Sequence, residues 1–278
     1  TRYWRDWSSD VCSSDLGNLP AEVTGPLAEV LTGASGLKHG SPATLAGTIG
    51  GTVPIPAGET WTMDIVVNGG APQSVQVPGA AGGVTVTDIA AAINSLADVE
   101  ATVNGSGFVE VTSVRTGAEV TLKINPGEAG RDLASAIGIP TTLVTGSETA
   151  LIPGVTTLND LPGNVSGYDP GDVINISGVD TDGSPVNASF RYGDPAAGFD
   201  GETVDDFVAF VNSLYNDAEV SINAAGQLVV EAQTAGESDL LLSISDNAGQ
   251  AGKTDWAGYA TSVTTDGTGP DKIGRAHV

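Results

Sequence analysis

The chain has 278 residues, and its 34 acidic and 10 basic side chains give a formal net charge of -24, which opposes contact with nucleic-acid phosphates and anionic lipid. Its 40% of apolar residues is enough for packed cores, and no apolar run is as long as a transmembrane helix. We therefore expect no nucleic-acid partner and no membrane insertion, and the low Lys and Arg content is typical of an exported bacterial surface protein.

Both ends of the chain resemble translated sequencing-library adaptor. Residues 1–16 read TRYWRDWSSDVCSSDL and residues 273–278 read IGRAHV, and the two segments back-translate to opposite strands of one adaptor. We expect both segments to be artefacts and the rest to be a fragment of a longer reading frame. The single cysteine, Cys12, falls in the excluded part, so the rest has no thiol for disulfides, zinc sites or thiolate nucleophiles.

The first native stretch, residues 17–57, is rich in Gly, Pro, Thr and Ala. This composition predicts a linker or the tail of a preceding domain, with no more than one short helix. Alternating apolar and polar residues then predict a first repeat unit at residues 58–140. Its expected elements are strands at 61–68 and 73–77, a helix at 85–96, strands at 100–103, 108–113 and 119–124, and one or two helical turns within 130–140.

The second half of the chain repeats this order. We expect a linker at residues 141–156, a second unit at 157–250 and another linker at 251–272. The expected elements of the second unit are strands at 172–177 and 185–192, a helix at 203–214, and strands at 219–223, 227–232 and 240–245. Each unit therefore has the order ββαβββ.

The two predicted helices are copies of one another. The first reads TVTDIAAAINSL, the second reads TVDDFVAFVNSL, and seven of the twelve positions are identical. Each begins with Thr-x-x-Asp, formed by Thr85 and Asp88 in the first copy and by Thr203 and Asp206 in the second, which predicts a capping box. Because helix and strand order both repeat, we expect an α+β fold of tandem ββαβββ units, with mainly antiparallel sheets that each carry one short amphipathic helix.

One acidic turn is similar to the start of a calcium loop. Residues 180–183 read Asp-Thr-Asp-Gly, and alternating carboxylates offer oxygen ligands to Ca²⁺. A calcium loop continues with another Asp or Asn and places Gly sixth, whereas Ser184 and Pro185 stand here. We therefore expect a hairpin turn, and Asp180 and Asp182 are the first candidate ligands if the chain binds calcium.

Other polar residues have a structural explanation that we favour over catalysis. Asp205 and Asp206, with Glu202 nearby, could form an acid pair for hydrolysis, but they fall in the first turn of a predicted helix, where acids stabilise the helix dipole. His39 lies in the Gly-rich linker with no acid or nucleophile pattern beside it, so we expect a solvated side chain.

The remaining motifs also indicate structure rather than chemistry. Residues 79–83 are Gly-rich but lack the Lys-Ser/Thr of a phosphate-binding loop. Trp61 and Trp256 are expected to be packing residues rather than a glycan platform. We therefore expect no catalytic residues, no cofactor and no metal, and we do not expect an enzyme.

Residues 93–124, with a closing element at 133–139, resemble the flagellin hook IN motif. The segment reads INSLADVEATVNGSGFVEVTSVRTGAEVTLKI and is followed by LASAIGI. In that motif Ile-Asn ends a helix, and a Val-x-Ala-x-Val strand, a Gly turn, a strand, a Thr-Gly turn and a last strand follow. The second copy has Val211-Asn212 at the Ile-Asn position, and residues 171–193 before it are similar to inserted domains of flagellar hook and hook-associated proteins.

The resemblance implies a non-catalytic, solvent-facing insert of a bacterial flagellar axial subunit, which is a hook, filament or hook-associated protein. It implies export to the extracellular flagellum, and contact with other axial subunits through terminal helices of the parent protein that are not in this fragment. The fragment itself is then expected to be a monomer.

The alternative is a repeat of a secreted cell-surface adhesin or a cadherin-like calcium-binding protein. The predicted helix separates the two hypotheses, because immunoglobulin-like adhesin sandwiches have no regular place for a helix of three turns in each repeat.

Overall fold

The computed structural model describes residues 27–247 and 253–268, so the two predicted adaptor segments lie outside the described part. The fold there is α+β, with mainly antiparallel sheets and few short helices, as the sequence predicts. None of the described helices has the length and apolar character needed to cross a membrane.

The strands are β1 (Val30–Gly33), β2 (Lys38–Gly50), β3 (Thr52–Val53), β4 (Thr60–Val67), β5 (Gln73–Pro78), β6 (Val84–Thr85), β7 (Val99–Val103), β8 (Phe108–Thr116), β9 (Thr121–Pro126), β10 (Val144–Thr145), β11 (Ser147–Ala150), β12 (Val173–Val179), β13 (Pro185–Arg191), β14 (Ala218–Ile222), β15 (Leu228–Ala232), β16 (Leu241–Asp246) and β17 (Thr261–Thr265). The helices are α1 (Val86–Ile93), α2 (Leu133–Ile137) and α3 (Val204–Asn212), and short 3-10 turns lie at Leu158–Asp160, Pro195–Ala197 and Trp256–Tyr259.

Two antiparallel sheets enclose the core of unit one. Their strand orders are β10-β9-β4-β5 and β11-β2-β8-β7. Side chains from both sheets, from α1 and from α2 form one cluster, in which Ile89, Val109 and Leu122 are fully buried. The apolar stripe of α1 closes this core, as its periodicity predicts.

Unit two repeats the arrangement with a second set of strands. Its sheets have the orders β13-β12-β16 and β14-β15-β1-β17. In sequence order, β12, β13, α3, β14, β15 and β16 take the places of β4, β5, α1, β7, β8 and β9. The core of unit two is a separate cluster that includes Leu31, Phe207 and Trp256.

The segments expected to be linkers contribute regular structure to both units. The segment 17–57 contains β1, β2 and β3, and the segment 141–156 contains β10 and β11. The segment 251–272 contains the Trp256–Tyr259 turn and β17. The linker prediction is therefore wrong for the described parts of these three segments.

The glycines that indicated a linker are instead required by close contacts. A Cβ atom at Gly40 would lie 2.6 Å from the hydroxyl oxygen of Thr116, and one at Gly47 would lie 2.6 Å from the carbonyl oxygen of Ile137. Atoms at these distances overlap, so residues without a side chain are needed where β2 lies against β8 and α2.

The chain passes through the two units in a nested order. Strand β1 pairs with β15 and β17 of unit two, whereas the next strand, β2, pairs with β8 and β11 of unit one. The described part of the chain therefore begins in unit two, completes unit one, and returns to unit two with β17. Unit one is an insertion within unit two, joined to it through residues 34–37 and 151–157.

Both amphipathic helices begin at the predicted capping boxes. The Asp88 amide donates to the Thr85 hydroxyl at 3.2 Å, and the Asp206 amide donates to the Thr203 hydroxyl at 3.1 Å. Partial burial raises the pKa of Asp206, but hydrogen bonds from Thr203 and the Glu202 amide outweigh it and hold that pKa below its ordinary value. The bonds to the Asp206 carboxylate are therefore at full strength at neutral pH and weaken as the pH falls through the lowered pKa, whereas the bond from the Asp206 amide to the Thr203 hydroxyl does not depend on pH.

Candidate functional site

The asparagine that ends each repeated helix fastens it to the following strand. Asn94 Oδ1 accepts a hydrogen bond from the Ala101 amide of β7 at 2.6 Å, and Asn94 Nδ2 donates to the Ala101 carbonyl at 2.9 Å. In unit two, the Val220 amide of β14 donates to Asn212 Oδ1 at 2.7 Å. We call Asn94 and Asn212 the helix latches. They satisfy backbone groups on a strand that, among the described residues, lies at the edge of its sheet.

The same duplication holds in the hairpin turn after the latched strand. Asn104 Oδ1 accepts bonds from the Ser106 amide at 3.0 Å and the Phe108 amide at 3.2 Å. Asn223 Oδ1 accepts equivalent bonds from the second and fourth residues after it, at 2.9 and 3.0 Å. The two units therefore share individual side-chain contacts as well as strand order.

Replacing Asn94 with alanine is expected to lower the free energy of unfolding of unit one by about 1 to 3 kcal/mol, because both backbone groups of Ala101 lose their partner. Asn212→Ala is expected to cost less, since that side chain makes one strand bond. Urea denaturation measures both effects. Ser95→Ala is the control, because its exposed hydroxyl bonds only the Ala92 carbonyl. Equal costs for Asn94→Ala and Ser95→Ala would contradict the latch role.

A groove of about 840 Å³ lies between the two units. Its charged rim groups already have partners: Lys38 Nζ lies 2.8 Å from Glu148 Oε2, and Asp205 accepts a bond from the Gly154 amide at 2.7 Å. The hydrogen bond between Lys38 and Glu148 raises the pKa of Lys38 and lowers the pKa of Glu148. Neither member of this ion pair is therefore poised for proton transfer near neutral pH. Apolar residues that line the groove are Leu37, Leu151, Val208, Val220 and Ile222.

Asp180 and Asp182 lie in the turn between β12 and β13, where the sequence predicts a hairpin. Asp180 is only 2% exposed, and its two oxygens accept bonds from the Thr181 and Asn216 amides, each at 2.8 Å. Asp182 accepts from the Ser184 amide at 2.8 Å, and the hydrogen bonds from Ser184 lower the pKa of Asp182. Both carboxylates are thus acceptors for backbone amides. Within the described residues, no three His, Cys, Asp or Glu side chains are grouped to hold a metal ion.

We expect the melting temperature of the protein to be the same in about 1 mM calcium and in chelator, because the Asp180 and Asp182 oxygens already accept amide hydrogens. Asp180→Asn is expected to lower the melting temperature equally in both buffers, since it weakens a buried acceptor. Thermal melts of the wild type and of Asp182→Asn test this. A calcium-dependent rise that Asp182→Asn abolishes would contradict the expectation.

The acids that could have formed a catalytic pair make separate structural bonds. Asp206 caps α3, and Asp205 binds the Gly154 amide. At Glu202 it is the backbone carbonyl, and not the carboxylate, that accepts a bond from the Leu158 amide at 2.9 Å. These contacts agree with the interpretation of residues 205 and 206 as acids of the first helical turn.

Two predictions in the former linkers need correction. His39 was expected to be solvated, but it lies in β2 with a side chain 20% exposed, and its Nδ1 lies 3.8 Å from Asp160 Oδ2. Trp256 lies in the core of unit two rather than in a linker, and Trp61 packs against the core of unit one. Both tryptophans are packing residues, as predicted.

A buried polar network that the sequence did not indicate fastens the Trp256–Tyr259 turn to unit two. The Tyr168 hydroxyl donates to Asp246 Oδ1 at 2.6 Å and lies 2.8 Å from the Thr254 hydroxyl. The Trp256 indole donates to the same Asp246 oxygen at 3.0 Å. Burial and the nearby Asp246 raise the pKa of Tyr168, so the phenol stays protonated as a donor.

The beginning and the end of the described chain lie side by side. The Leu27 amide donates to the Thr268 hydroxyl at 3.0 Å, and the Thr268 amide donates to the Leu27 carbonyl at 3.0 Å. Strands β1 and β17 continue this pairing into unit two. The two ends of this described part of the chain are therefore adjacent.

Comparison with known proteins does not assign this chain to a family. No protein-family model matches the sequence, and no curated protein matches it. A similar solved structure is the crystal structure of the flagellar cap protein FliD from Helicobacter pylori, with 12% sequence identity and a TM-score of 0.25. The alignment covers 86% of this chain and 61% of that chain, so this chain spans less than two thirds of that protein. A TM-score this low does not establish a shared fold.

Proposed function

We propose that this chain is a non-catalytic structural region, the solvent-facing insert of a bacterial flagellar axial subunit such as a hook, filament or hook-associated protein. The sequence resemblance to the hook IN motif supports this proposal. The asparagine of that motif, Asn94, is the helix latch of unit one, and Asn212 at the matching position is the latch of unit two. These two asparagines therefore have a structural role, which supports the proposal of a structural region.

The observation that carries the proposal is the meeting of the chain at Leu27 and Thr268. A region whose two ends are hydrogen-bonded together can be placed in a surface loop of another domain without stretching that domain. This is the geometry that an outward-facing insert requires. Within the region, unit one is in turn inserted into unit two through residues 34–37 and 151–157.

Charge supports a role on the outside of an assembly. At a formal net charge of -24, identical copies of the chain repel one another, which disfavours polymerisation through this region. We propose that contact with other axial subunits is made by other parts of the parent protein, and that this region lies outside the cell in the surrounding water.

Recovery of the flanking reading frame by genome walking tests the proposal. We expect helical segments with apolar heptad repeats on both sides, because these are the segments that polymerise axial subunits. A cell-wall anchor or further calcium-binding repeats on either side would overturn the proposal in favour of an adhesin.

A graft supplies a second test. Residues 27–268 in place of the outermost inserted domain of a flagellin are expected to leave filament assembly intact, because the ends of the graft are adjacent. A circularly permuted version, whose new ends at residues 69 and 70 in the turn between β4 and β5 are also adjacent, is expected to leave assembly intact as well. Assembly lost in both grafts would count against an outward-facing insert.

A further inference from the structure

The duplicated asparagine turns differ in the residue that follows the asparagine. The turn between β7 and β8 of unit one contains Asn104-Gly105, and the turn between β14 and β15 of unit two contains Asn223-Ala224. In both turns the asparagine Oδ1 accepts bonds from the second and fourth amides after it. The two asparagines therefore make the same turn contacts, and only that of unit one is followed by glycine.

The amide nitrogen of Gly105 is accessible as a nucleophile. Gly105 is exposed, and a Cβ atom built on it would have nothing within 4 Å beyond its two neighbours in the chain. None of the hydrogen bonds among the described residues uses this amide. Because glycine has no side chain, nothing crowds the nitrogen. The Asn104 Cγ atom belongs to the preceding residue, so a bond between the two atoms closes a succinimide ring without any long-range movement.

The side-chain carbonyl that this nitrogen would attack is held by two donors. The Ser106 and Phe108 amides donate to Asn104 Oδ1 at 3.0 and 3.2 Å. Negative charge develops on that oxygen when a nucleophile adds to Cγ, and fixed N–H donors stabilise such a charge. The nitrogen that must leave, Asn104 Nδ2, makes no hydrogen bond within the described residues. In unit two, by contrast, Asn223 Nδ2 donates to Gln227 Oε1 at 3.0 Å.

We infer that Asn104 is a site of spontaneous deamidation in the folded protein, and that its counterpart Asn223 is protected. Hydroxide removes the Gly105 amide proton, the nitrogen adds to Asn104 Cγ, and the Cγ–Nδ2 bond breaks as water returns a proton to the departing ammonia. Water then opens the succinimide at either carbonyl, which gives aspartate or isoaspartate. The net reaction consumes one water and releases one ammonia, with no transfer of electrons. This property is independent of the proposed flagellar role.

The second Asn-Gly pair of the sequence, Asn68-Gly69, is held differently. Asn68 lies in the turn between β4 and β5 with a φ of 51°, and its Oδ1 accepts a bond from the Thr121 amide of β9 at 2.9 Å. Its side chain is therefore directed across the sheet, whereas the side chain of Asn104 folds over the residues that follow it. The same pair of residues is thus placed for ring closure in one turn and held away from it in the other.

Deamidation at Asn104 changes the turn that joins β7 to β8. The aspartate form keeps an acceptor oxygen for the two turn amides and adds a negative charge. The isoaspartate form puts an extra methylene into the main chain, so the two turn bonds are lost. Unit one is therefore expected to lose stability as the protein ages, while unit two does not.

Incubation of the full chain in mildly alkaline buffer, followed by proteolysis and peptide mass spectrometry, measures the conversion of each asparagine. In the folded protein we expect Asn104 to convert roughly tenfold faster than Asn68, because the placement of the reacting atoms governs the rate. In urea that unfolds the chain, both turns are lost and the two rates should become similar. The inference is overturned if Asn68 converts as fast as Asn104 in the folded protein, or if Asn104 keeps its full lead in urea.

Two reciprocal variants test the role of the following residue. Gly105→Ala copies the turn of unit two, and the added Cβ fits because it lies in open space and Gly105 has no positive φ. We expect it to slow conversion of Asn104 to the level of Asn223. Ala224→Gly copies the turn of unit one and should make Asn223 convert faster than in the wild type. Unchanged conversion of Asn104 in the first variant, or of Asn223 in the second, would overturn the inference.

Discussion

Phe207→Ala is expected to lower the free energy of unfolding of unit two by about 3 to 5 kcal/mol, because it empties a site at the centre of an aromatic cluster. Phe207 is 2% exposed and projects from α3 into the core. Its ring lies edge-to-face against Phe190, with centroids 5.3 Å apart, and stacks on Trp256 at 5.3 Å. Alanine leaves a cavity that neither ring can fill. Equilibrium denaturation in urea measures the loss.

Phe199→Ala is the control for this prediction. Phe199 lies on the loop between β13 and α3 and is half-buried, and the Arg191 guanidinium lies 5.0 Å from its ring centroid. Its removal is expected to cost about 1 kcal/mol or less, because a partly exposed cation–π contact is weak. Similar losses for Phe207→Ala and Phe199→Ala would contradict the placement of α3 over the core.

Leu31→Ala and Leu45→Ala are expected to destabilise different units, each by about 2 to 5 kcal/mol. Leu31 of β1 is 2% exposed in the core of unit two, whereas Leu45 of β2 is 3% exposed in the core of unit one. The indole N–H signals of Trp61 and Trp256 report the two cores separately during urea titration by NMR. Leu31→Ala should lower the midpoint of the Trp256 signal, and Leu45→Ala that of the Trp61 signal.

Each leucine variant serves as the control for the other, since the same atoms are removed. If Leu31→Ala lowers the Trp61 midpoint and leaves the Trp256 midpoint unchanged, the nested order of the units is wrong. If both variants leave both midpoints unchanged, residues 30–50 are the linker that their composition suggested.

The elements that could be predicted from the sequence are those specified by local patterns. The helix copies are predictable because their apolar spacing and Thr-x-x-Asp starts depend only on neighbouring residues, and both capping boxes are present. The strands of the two hairpins β4–β5 and β12–β13 are predictable because glycine turns separate alternating segments. The α+β class follows from these elements.

The strands that were missed depend on partners far away in the chain. Strand β1 is four residues long and pairs with β15 and β17, about two hundred residues later, so no local pattern specifies it. Strand β2 contains Gly40 and Gly47, which indicate flexibility in isolation and are required by close contacts in the fold. Amino-acid composition cannot distinguish a glycine in a flexible linker from a glycine that a close contact requires.

The candidate site residues also divide into those whose role depends on neighbouring residues and those whose role depends on distant parts of the chain. The structural roles of Asp180 and Asp206 were predictable, because a turn or a helix start is defined by adjacent residues. The surroundings of His39 were not predictable, since Asp160 lies more than one hundred positions away. The latch role of Asn94 and Asn212 could have been inferred from one signal, their identical place at the end of both helix copies.

The adjacency of Leu27 and Thr268 also determines how the protein carries tension. A pull applied through these two residues separates β1 from β17 along the direction of their hydrogen bonds, because antiparallel bonds lie perpendicular to the strands. The hydrogen bonds of this ladder are then loaded in sequence, in the unzipping geometry, rather than simultaneously in shear. Unit one, which lies within unit two, bears no load until β1 has separated from both β17 and β15, so these two ladders protect its core from tension.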